Sequence, residues 1–197
     1  MTGPEGQAPA LAARRGWSAR LRGLSPTAKI IYAVAALVLA FIAVVSLTGG
    51  GTGATRPTPP RAPSFTLREL GHPGQQVSLA GYAGRPVIIN FFASWCAPCQ
   101  RETPLIARFY RARQGRVLVV GIDANDQVSP ALRFLSAAGV RYPVGMDPFP
   151  APTATSYGVQ ALPQTFFLNA RHRIVRRIFG PVTARELGAG VALMDRG

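Results

Sequence analysis

The two cysteines of the chain, Cys96 and Cys99, follow closely on a short apolar segment, PVIINFF, at residues 86–92. A run of this length, rich in β-branched and aromatic side chains, is typical of a strand that is buried on both faces. Pro98 lies between the cysteines, and proline is favoured in the first turn of a helix. The sequence therefore predicts a buried strand, then Cys96 at a strand-to-helix junction, then a helix that extends to about residue 113.

The region downstream of residue 63 has the pattern of one packed α/β domain. A hairpin is predicted at residues 65–70 and 76–79, and further strands at 117–122, 144–147, 165–168 and 174–179, with 144–147 at a sheet edge. Helices are predicted at 129–138, with Ser129 as the N-cap, and at 153–157 and 183–194. This order of elements indicates a mixed central sheet with helices on both faces.

An uncharged apolar run occupies residues 30–47. As a helix it would rise about 27 Å, close to the roughly 30 Å hydrocarbon core of a bilayer. Five basic residues and one acid precede it, which predicts a cytoplasmic N-terminus and an extracytoplasmic C-terminal domain. A cleaved signal peptide is the alternative, but its apolar region usually has only ~7–15 residues. We favour an uncleaved signal anchor that makes the protein a single-pass membrane protein.

Residues 48–63, TGGGTGATRPTPPRAP, are rich in glycine and then in proline, as in a linker. The predicted organisation is a basic cytoplasmic tail at 1–29, a transmembrane anchor at 30–47, a linker at 48–63 and the α/β domain at 64–197. The net charge is +14, but the basic residues are spread over the whole chain and form no cluster interleaved with aromatic residues. This distribution argues against nucleic-acid binding.

The position of the cysteines indicates redox chemistry. At a helix start, unpaired backbone N–H groups and the helix dipole stabilise a thiolate, and the thiolate is the nucleophile. Cys99 lies one turn after Cys96 on the same face, so it can attack a mixed disulfide formed on Cys96. The pair is therefore predicted to open and close as a two-electron couple.

Three other interpretations compete with the redox couple. A zinc site needs four ligands, and the two histidines, His72 and His172, are distant in sequence from the cysteines and from each other. A purely stabilising disulfide would close a very small loop, where the stabilisation is least. Copper delivery is the alternative from a different class of function, since two thiolates suit Cu(I). No metal site is predicted.

Several motifs in one order resemble the thioredoxin superfamily, and most closely the membrane-anchored TlpA/ResA/CcmG (DsbE-like) thiol–disulfide oxidoreductases. They are NFFASWC at residues 90–96, ETP at 102–104, YGV at 157–159 and LPQTFFL at 162–168. The resemblance covers residues 64–197. It implies a thioredoxin-like fold with an N-terminal hairpin extension, preceded by one transmembrane helix.

The resemblance also implies roles for single residues. Cys96 is expected to attack and Cys99 to resolve the mixed disulfide. Pro163 matches a cis-proline beside the disulfide, with the backbone of Leu162 pairing with the partner chain; a trans proline that opens a strand is the structural alternative. Trp95 is expected to cover the disulfide and contact partners, and Pro98 belongs to the motif between the cysteines.

Glu102 matches an acid that family members hold near the cysteines, where it would tune pKa values and transfer protons. A surface glutamate at the helix start is the equally weighted alternative. Thioredoxins carry a buried aspartate where this chain has Asn90, and an amide cannot accept a proton as a carboxylate does. Peroxidase activity is not expected, because Ala93 occupies the position where peroxiredoxins need threonine.

The expected function is disulfide exchange with extracytoplasmic protein thiols, served by a membrane electron donor or acceptor, without a cofactor other than the Cys96–Cys99 disulfide. Many family members are reductants that act on apocytochrome c, and others are general oxidants of exported proteins. The sequence does not determine the direction of electron flow, because a difference of roughly 30 mV corresponds to only 1.4 kcal/mol in this couple.

Overall fold

The structure is a computed structural model that describes residues 25–48, 58–113 and 115–196. The chain divides into two units, residues 1–57 and residues 58–197. Most of the predicted tail and linker lies outside the described residues, so the predicted domain boundaries remain predictions.

The described part of the first unit is helix α1 (Pro26–Thr48). It begins four residues before the predicted anchor, because Ser25 caps it by accepting a hydrogen bond from Ala28 N at 3.3 Å. Residues Pro26–Val44 have a mean hydropathy of 2.3 and none of this stretch is buried. By length and composition this helix could cross a membrane, which is also true of a signal sequence.

The second unit contains one seven-stranded sheet. Its strands are β1 (Thr66–Glu69), β2 (Gln76–Ser78), β3 (Val87–Phe92), β4 (Leu118–Ala124), β5 (Val144–Asp147), β6 (Gln164–Leu168) and β7 (Ile174–Phe179). The spatial order is β2-β1-β5-β4-β3-β6-β7. Strands β3, β4 and β5 are parallel to one another, whereas the pairs at both flanks are antiparallel. This mixed sheet confirms the predicted fold class.

The helices of this unit are α2 (Ala97–Arg113), α3 (Val128–Ala138), α4 (Pro152–Ser156) and α5 (Ala184–Met194), with a short 3-10 turn at Leu79–Tyr82. Alternate residues of the central strands point to opposite faces of the sheet. One face packs with α2, α3 and α5 around Phe92 and Phe167, and the other packs with α4 and the 3-10 turn around Phe91 and Phe166. The cysteines belong to the first face.

Two predicted details of the fold are wrong. Ser129 is not the N-cap of α3, which begins one residue earlier after Gln127 and has no side-chain cap. Strand β5 is not at an edge, because β1 of the N-terminal hairpin pairs with it on the side away from β4. A single strand pattern cannot reveal this pairing, since the hairpin is far from β5 in sequence.

Candidate active site

The end of β3 and the start of α2 hold the two cysteines. All six residues of β3 are buried, as predicted, so this strand is fixed at the centre of the sheet. The chain then turns through Ala93, whose carbonyl accepts from Cys96 N at 3.2 Å. Gln100 N donates to Cys96 O at 3.0 Å, which is the first hydrogen bond of the helical ladder. Cys96 therefore lies at the N-terminal end of α2.

The cysteines form a disulfide in which the two sulfurs differ in exposure. Cys96 is 5% exposed and Cys99 is fully buried. Cys99 N donates to Cys96 Sγ at 3.3 Å, so a backbone N–H group of the first helical turn faces the Cys96 sulfur. An external thiol can approach Cys96 more readily than Cys99, and the helix start favours negative charge on Cys96 after reduction.

Trp95 lies beside the disulfide on the surface. Its side chain is largely exposed, and its Nε1–H donates to Asn125 O at 3.0 Å. Trp95 and Leu162 line the same shallow groove of about 190 Å³, whose other walls are mostly apolar. The groove lies beside the cysteines along the chain, because Trp95 directly precedes Cys96.

The peptide bond between Leu162 and Pro163 is cis, as the sequence motif predicts. Pro163 is buried directly before β6 and its carbonyl accepts from Gly180 N at 2.9 Å. Antiparallel pairing of Gln164 with Phe91 brings this end of β6 to the same end of the sheet as the cysteines. The structure therefore brings Trp95, the disulfide and the Leu162–Pro163 bond together.

Glu102 is not a surface residue, since only 3% of it is exposed. Its Oε1 accepts from Asn90 Nδ2 at 2.9 Å and its Oε2 accepts from Val182 N at 2.6 Å. The Asn90 amide also donates to Thr165 Oγ1 at 3.1 Å, so it bridges α2 and β6. Asn90 thus occupies a buried position on β3 and orients the carboxyl group of Glu102.

Burial raises the pKa of Glu102 to about 7, against the opposing effect of the two hydrogen bonds from Val182 and Asn90. A carboxyl group with this pKa can both accept and release a proton at neutral pH. Glu102 is connected to the cysteines through one turn of α2, in which Thr103 Oγ1 donates to Cys99 O at 2.8 Å.

Sequence reasoning missed a set of contacts from the loop after β4. Asp126 accepts hydrogen bonds from both Ser94 N and Ser94 Oγ, and Ser94 lies two residues before Cys96. Asp123, at the end of β4, is fully buried. An aspartate within the apolar run VLVVGIDA was the available signal, because buried carboxyl groups are rare without a role.

Both histidines lie in turns and bond to other groups. His72 Nδ1 is 3.1 Å from Glu69 Oε1, and His172 Nε2 is 3.0 Å from Tyr82 O. His172 is in the β6–β7 turn, at the opposite end of the sheet from the cysteines. Within the described residues, no cluster of three or more potential metal ligands is found.

A model of the family described as Redoxin matches residues 59–190, which is about two thirds of the chain. The thiol-disulfide oxidoreductase ResA of Bacillus thuringiensis (strain Al Hakam) is 29% identical over 127 residues, covering 64% of this chain and 72% of ResA. The thiol:disulfide interchange protein CycY of Rhizobium leguminosarum bv. viciae is 35% identical over 113 residues, covering 57% of this chain and 59% of CycY.

Solved structures of similar proteins have the same fold. The thiol:disulfide interchange protein of the thioredoxin family from Chlorobium tepidum TLS superposes with a TM-score of 0.61 at 27% identity, covering 69% of this chain and 96% of that one. StoA of Bacillus subtilis gives 0.56 at 26% identity, with 68% and 99% coverage. The chain therefore belongs to the Redoxin family. With two cysteines close together at a helix start, it is a thiol–disulfide oxidoreductase of the ResA and DsbE type.

Proposed function

We propose that Cys96 is the attacking cysteine and Cys99 the resolving cysteine of an extracytoplasmic enzyme that is anchored in the membrane by α1. The observation that carries this assignment is the contrast between Cys96, which is 5% exposed at the helix start, and Cys99, which is fully buried. A protein substrate can reach the first sulfur, whereas the second reacts only within the chain.

The reaction has two exchange steps. In the reducing direction, the Cys96 thiolate attacks a substrate disulfide, forms a mixed disulfide and releases one substrate thiolate, which takes up a proton. The Cys99 thiol then loses its proton, and the resulting thiolate attacks Cys96 Sγ, which releases the second substrate thiolate. Two electrons pass from the cysteine pair to the substrate, and the Cys96–Cys99 disulfide is restored. In the oxidising direction the same steps run in reverse.

Glu102 is the proposed acceptor of the Cys99 proton. A pKa of about 7 and the cysteine's position one turn earlier on α2 support this role. Asn90 cannot accept the proton, but its amide holds Glu102 Oε1 in place. The proton therefore moves to a group whose affinity for it is suited to neutral pH, either directly or through water.

The groove between Trp95 and Leu162 is the proposed substrate site. Its lining is mostly apolar, and Trp95 is fixed there by its hydrogen bond to Asn125 O. An extended substrate segment can lie in this groove with its cysteine at Cys96 and its backbone beside Leu162 and Pro163. This arrangement favours an unfolded or flexible segment over a cysteine within a rigid core.

The proposed substrates are exported proteins, with reduction of apocytochrome c as the preferred pathway and general oxidation of exported proteins as the alternative. Redox direction follows from the reduction potential of the couple. A potential below about −250 mV supports the reducing role, and one near −120 mV supports the oxidising role. A membrane protein would supply or accept the electrons.

Trapping tests the cysteine assignment. The full-length Cys99→Ser chain in detergent is reduced and then mixed with a disulfide-bonded peptide that contains the CxxCH haem-attachment sequence. A stable mixed disulfide should accumulate on Cys96, and the matched Cys96→Ser variant should form at least ten-fold less. Equal trapping by the two variants would contradict the assigned order. Tight Cu(I) binding that requires His72 or His172, without disulfide exchange, would instead support copper delivery.

A further inference from the structure

One short segment between α4 and β6 supplies much of the groove beside Cys96. Four of the eight residues that line the groove, residues 159–162, are consecutive in this segment. Pro163, with its cis peptide bond, follows them directly. We call residues 158–164 the wall segment, because its position determines the shape of the groove.

The wall segment is held at its ends. At its start, Val159 N donates to Ala154 O at 2.9 Å. At its end, Pro163 O accepts from Gly180 N at 2.9 Å. In the part of the chain that the structure describes, residues 160–162 make no backbone hydrogen bond. The groove-lining residues therefore take their position from the groups that fix the two ends.

The side chain of Arg177, on β7, joins these two ends. Its Nη2 donates to Gly158 O at 2.6 Å, and its Nε donates to Gln164 Oε1 at 3.0 Å. Nη2 also donates to Gln164 Oε1. Since Gly158 is the first residue of the wall segment and Gln164 is the last, one guanidinium group bridges the whole segment.

Two aromatic rings hold the guanidinium group of Arg177 in this place. Its Cζ lies 4.8 Å from the ring centroid of Phe166 and 4.4 Å from that of Phe179. Phe166 is buried and pairs with Arg177 across the β6–β7 ladder, whereas Phe179 is 69% exposed. The face of an aromatic ring attracts a cation, so both rings stabilise the bridging position.

The contacts of Arg177 require the shape of an arginine. Among the described residues, its donors go to uncharged oxygens and it forms no ion pair with an acid. A planar guanidinium group donates in fixed, diverging directions and stacks on rings, whereas the ammonium group of lysine is a compact point charge. Hydrogen bonds from a charged donor are also stronger than those between neutral groups.

We infer that Arg177 is a positioning residue that fixes the wall segment in its substrate-binding shape and thereby sets how tightly an extended protein substrate binds in the groove. The inference rests on the proposed function of the groove as the substrate site. Arg177 is on the face of the sheet that carries Phe166, and the cysteines are on the other face. It therefore acts on binding: without Arg177, the substrate would have to order the wall segment, which lowers affinity.

Disulfide exchange with the disulfide-bonded CxxCH peptide tests the inference, with the full-length chain in detergent and dithiothreitol as the reductant. Arg177→Met keeps an unbranched side chain against the rings but removes every donor. Its KM should rise about ten-fold, which is the effect of losing about one charge-assisted hydrogen bond, with a change in kcat of less than about two-fold. Arg177→Lys should also have a raised KM, because lysine lacks the planar fork.

Arg176→Met is the matched control, since Arg176 is the next residue on β7 and its side chain points to the opposite face of the sheet. It should keep the wild-type KM. The inference is overturned if Arg177→Met also keeps that KM, or if Arg177→Lys restores it. An equal loss of rate with hydroxyethyl disulfide, which is too small to fill the groove, would indicate damage at the cysteines and would also overturn it.

Amide hydrogen exchange tests the position of the wall segment independently of activity. Val159 N–H should exchange about ten-fold faster in Arg177→Met than in the wild type or Arg176→Met, because its bond to Ala154 O opens more often once the segment is released. Equal exchange in the three chains would overturn the inference. A wild type that does not exchange disulfides with the peptide would contradict the proposed function, whereas the Val159 rate decides separately whether Arg177 fixes the segment.

Discussion

Two buried acids lie on the same face of the sheet and differ in what surrounds them. Glu102 has a donor for each of its oxygens, from Asn90 and from Val182 N, whereas Asp123 has none in the part of the chain that the structure describes. Burial raises the pKa of both, but the donors bring Glu102 back to about 7, and the neighbouring Asp126 brings Asp123 to about 8. The contrast shows that hydrogen-bond donors oppose the rise in pKa that burial causes, whereas a neighbouring carboxyl group adds to it.

The largest expected effect is a loss of stability as pH rises. Both acids have a folded-state pKa above the unfolded value, so their contribution is fully present below about pH 4 and is lost as pH rises through 7 to 8. The free energy of unfolding should fall by about 6 kcal/mol between pH 5 and pH 8, measured by urea denaturation of the full-length chain in detergent. Asp123→Asn should confine this fall to pH values below about 7. Stability that is constant or rising over this range would remove the basis of the comparison.

Glu102→Gln should cost more than Asp123→Asn at pH 7. The glutamine amide would place a donor against either Val182 N or Asn90 Nδ2, leaving buried donors unpaired, which costs about 2 kcal/mol. Asp123→Asn should instead raise stability at pH 7, because the wild type must take up a proton on Asp123 to fold and asparagine does not. Glu102→Gln should also slow resolution of the mixed disulfide about ten-fold, measured by stopped-flow fluorescence, because it cannot accept the Cys99 proton. Equal costs of the two variants would show that the donors do not distinguish the acids.

Thr165→Val tests the second hydrogen bond of the Asn90 amide, which also donates to Glu102. The change keeps the shape of a fully buried side chain but removes the acceptor for Asn90 Nδ2 at 3.1 Å. We expect a loss of about 1 kcal/mol in the free energy of unfolding. The pH at which resolution is half-maximal should shift, since Asn90 would orient Glu102 less firmly. An unchanged pH profile would limit Thr165 to a structural role.

Trp95→Phe should have the smallest effect on stability, about 0.5 kcal/mol, because the ring is largely exposed and loses one hydrogen bond to Asn125 O. Its effect should appear in substrate binding, as a rise in KM for a disulfide-bonded peptide with a smaller change in kcat. A fall in kcat alone would argue against the proposed groove.

The sequence predicted most of the fold because its strongest patterns are local. The buried strand β3, the helix start at the cysteines and the cis bond before Pro163 each follow from a short motif. The interior position of β5 depends on pairing with β1, which is distant in sequence, and therefore could not be predicted from its own residues. The prediction that Ser129 caps α3 is wrong because serine is a favoured N-cap residue, and no local pattern shows that the helix begins at Val128 without a side-chain cap.

The candidate site was predicted only where residues belong to motifs. Cys96, Cys99 and Glu102 come from one helix, so their proximity follows from helical spacing. The donors to Glu102 come from β3 and from Val182 before α5. The acceptor for Ser94 N is Asp126, in the loop after β4. These contacts join segments 12 to 80 residues apart, and only the packed fold brings them together.

The central claim is that Cys96, and not Cys99, reacts with protein substrates. The most direct measurement is differential alkylation of the reduced wild-type chain at pH 7 with a limiting amount of iodoacetamide, followed by mass spectrometry of the peptide that contains both cysteines. Label should appear on Cys96 at least ten-fold faster than on Cys99. Preferential or equal labelling of Cys99 would contradict the account.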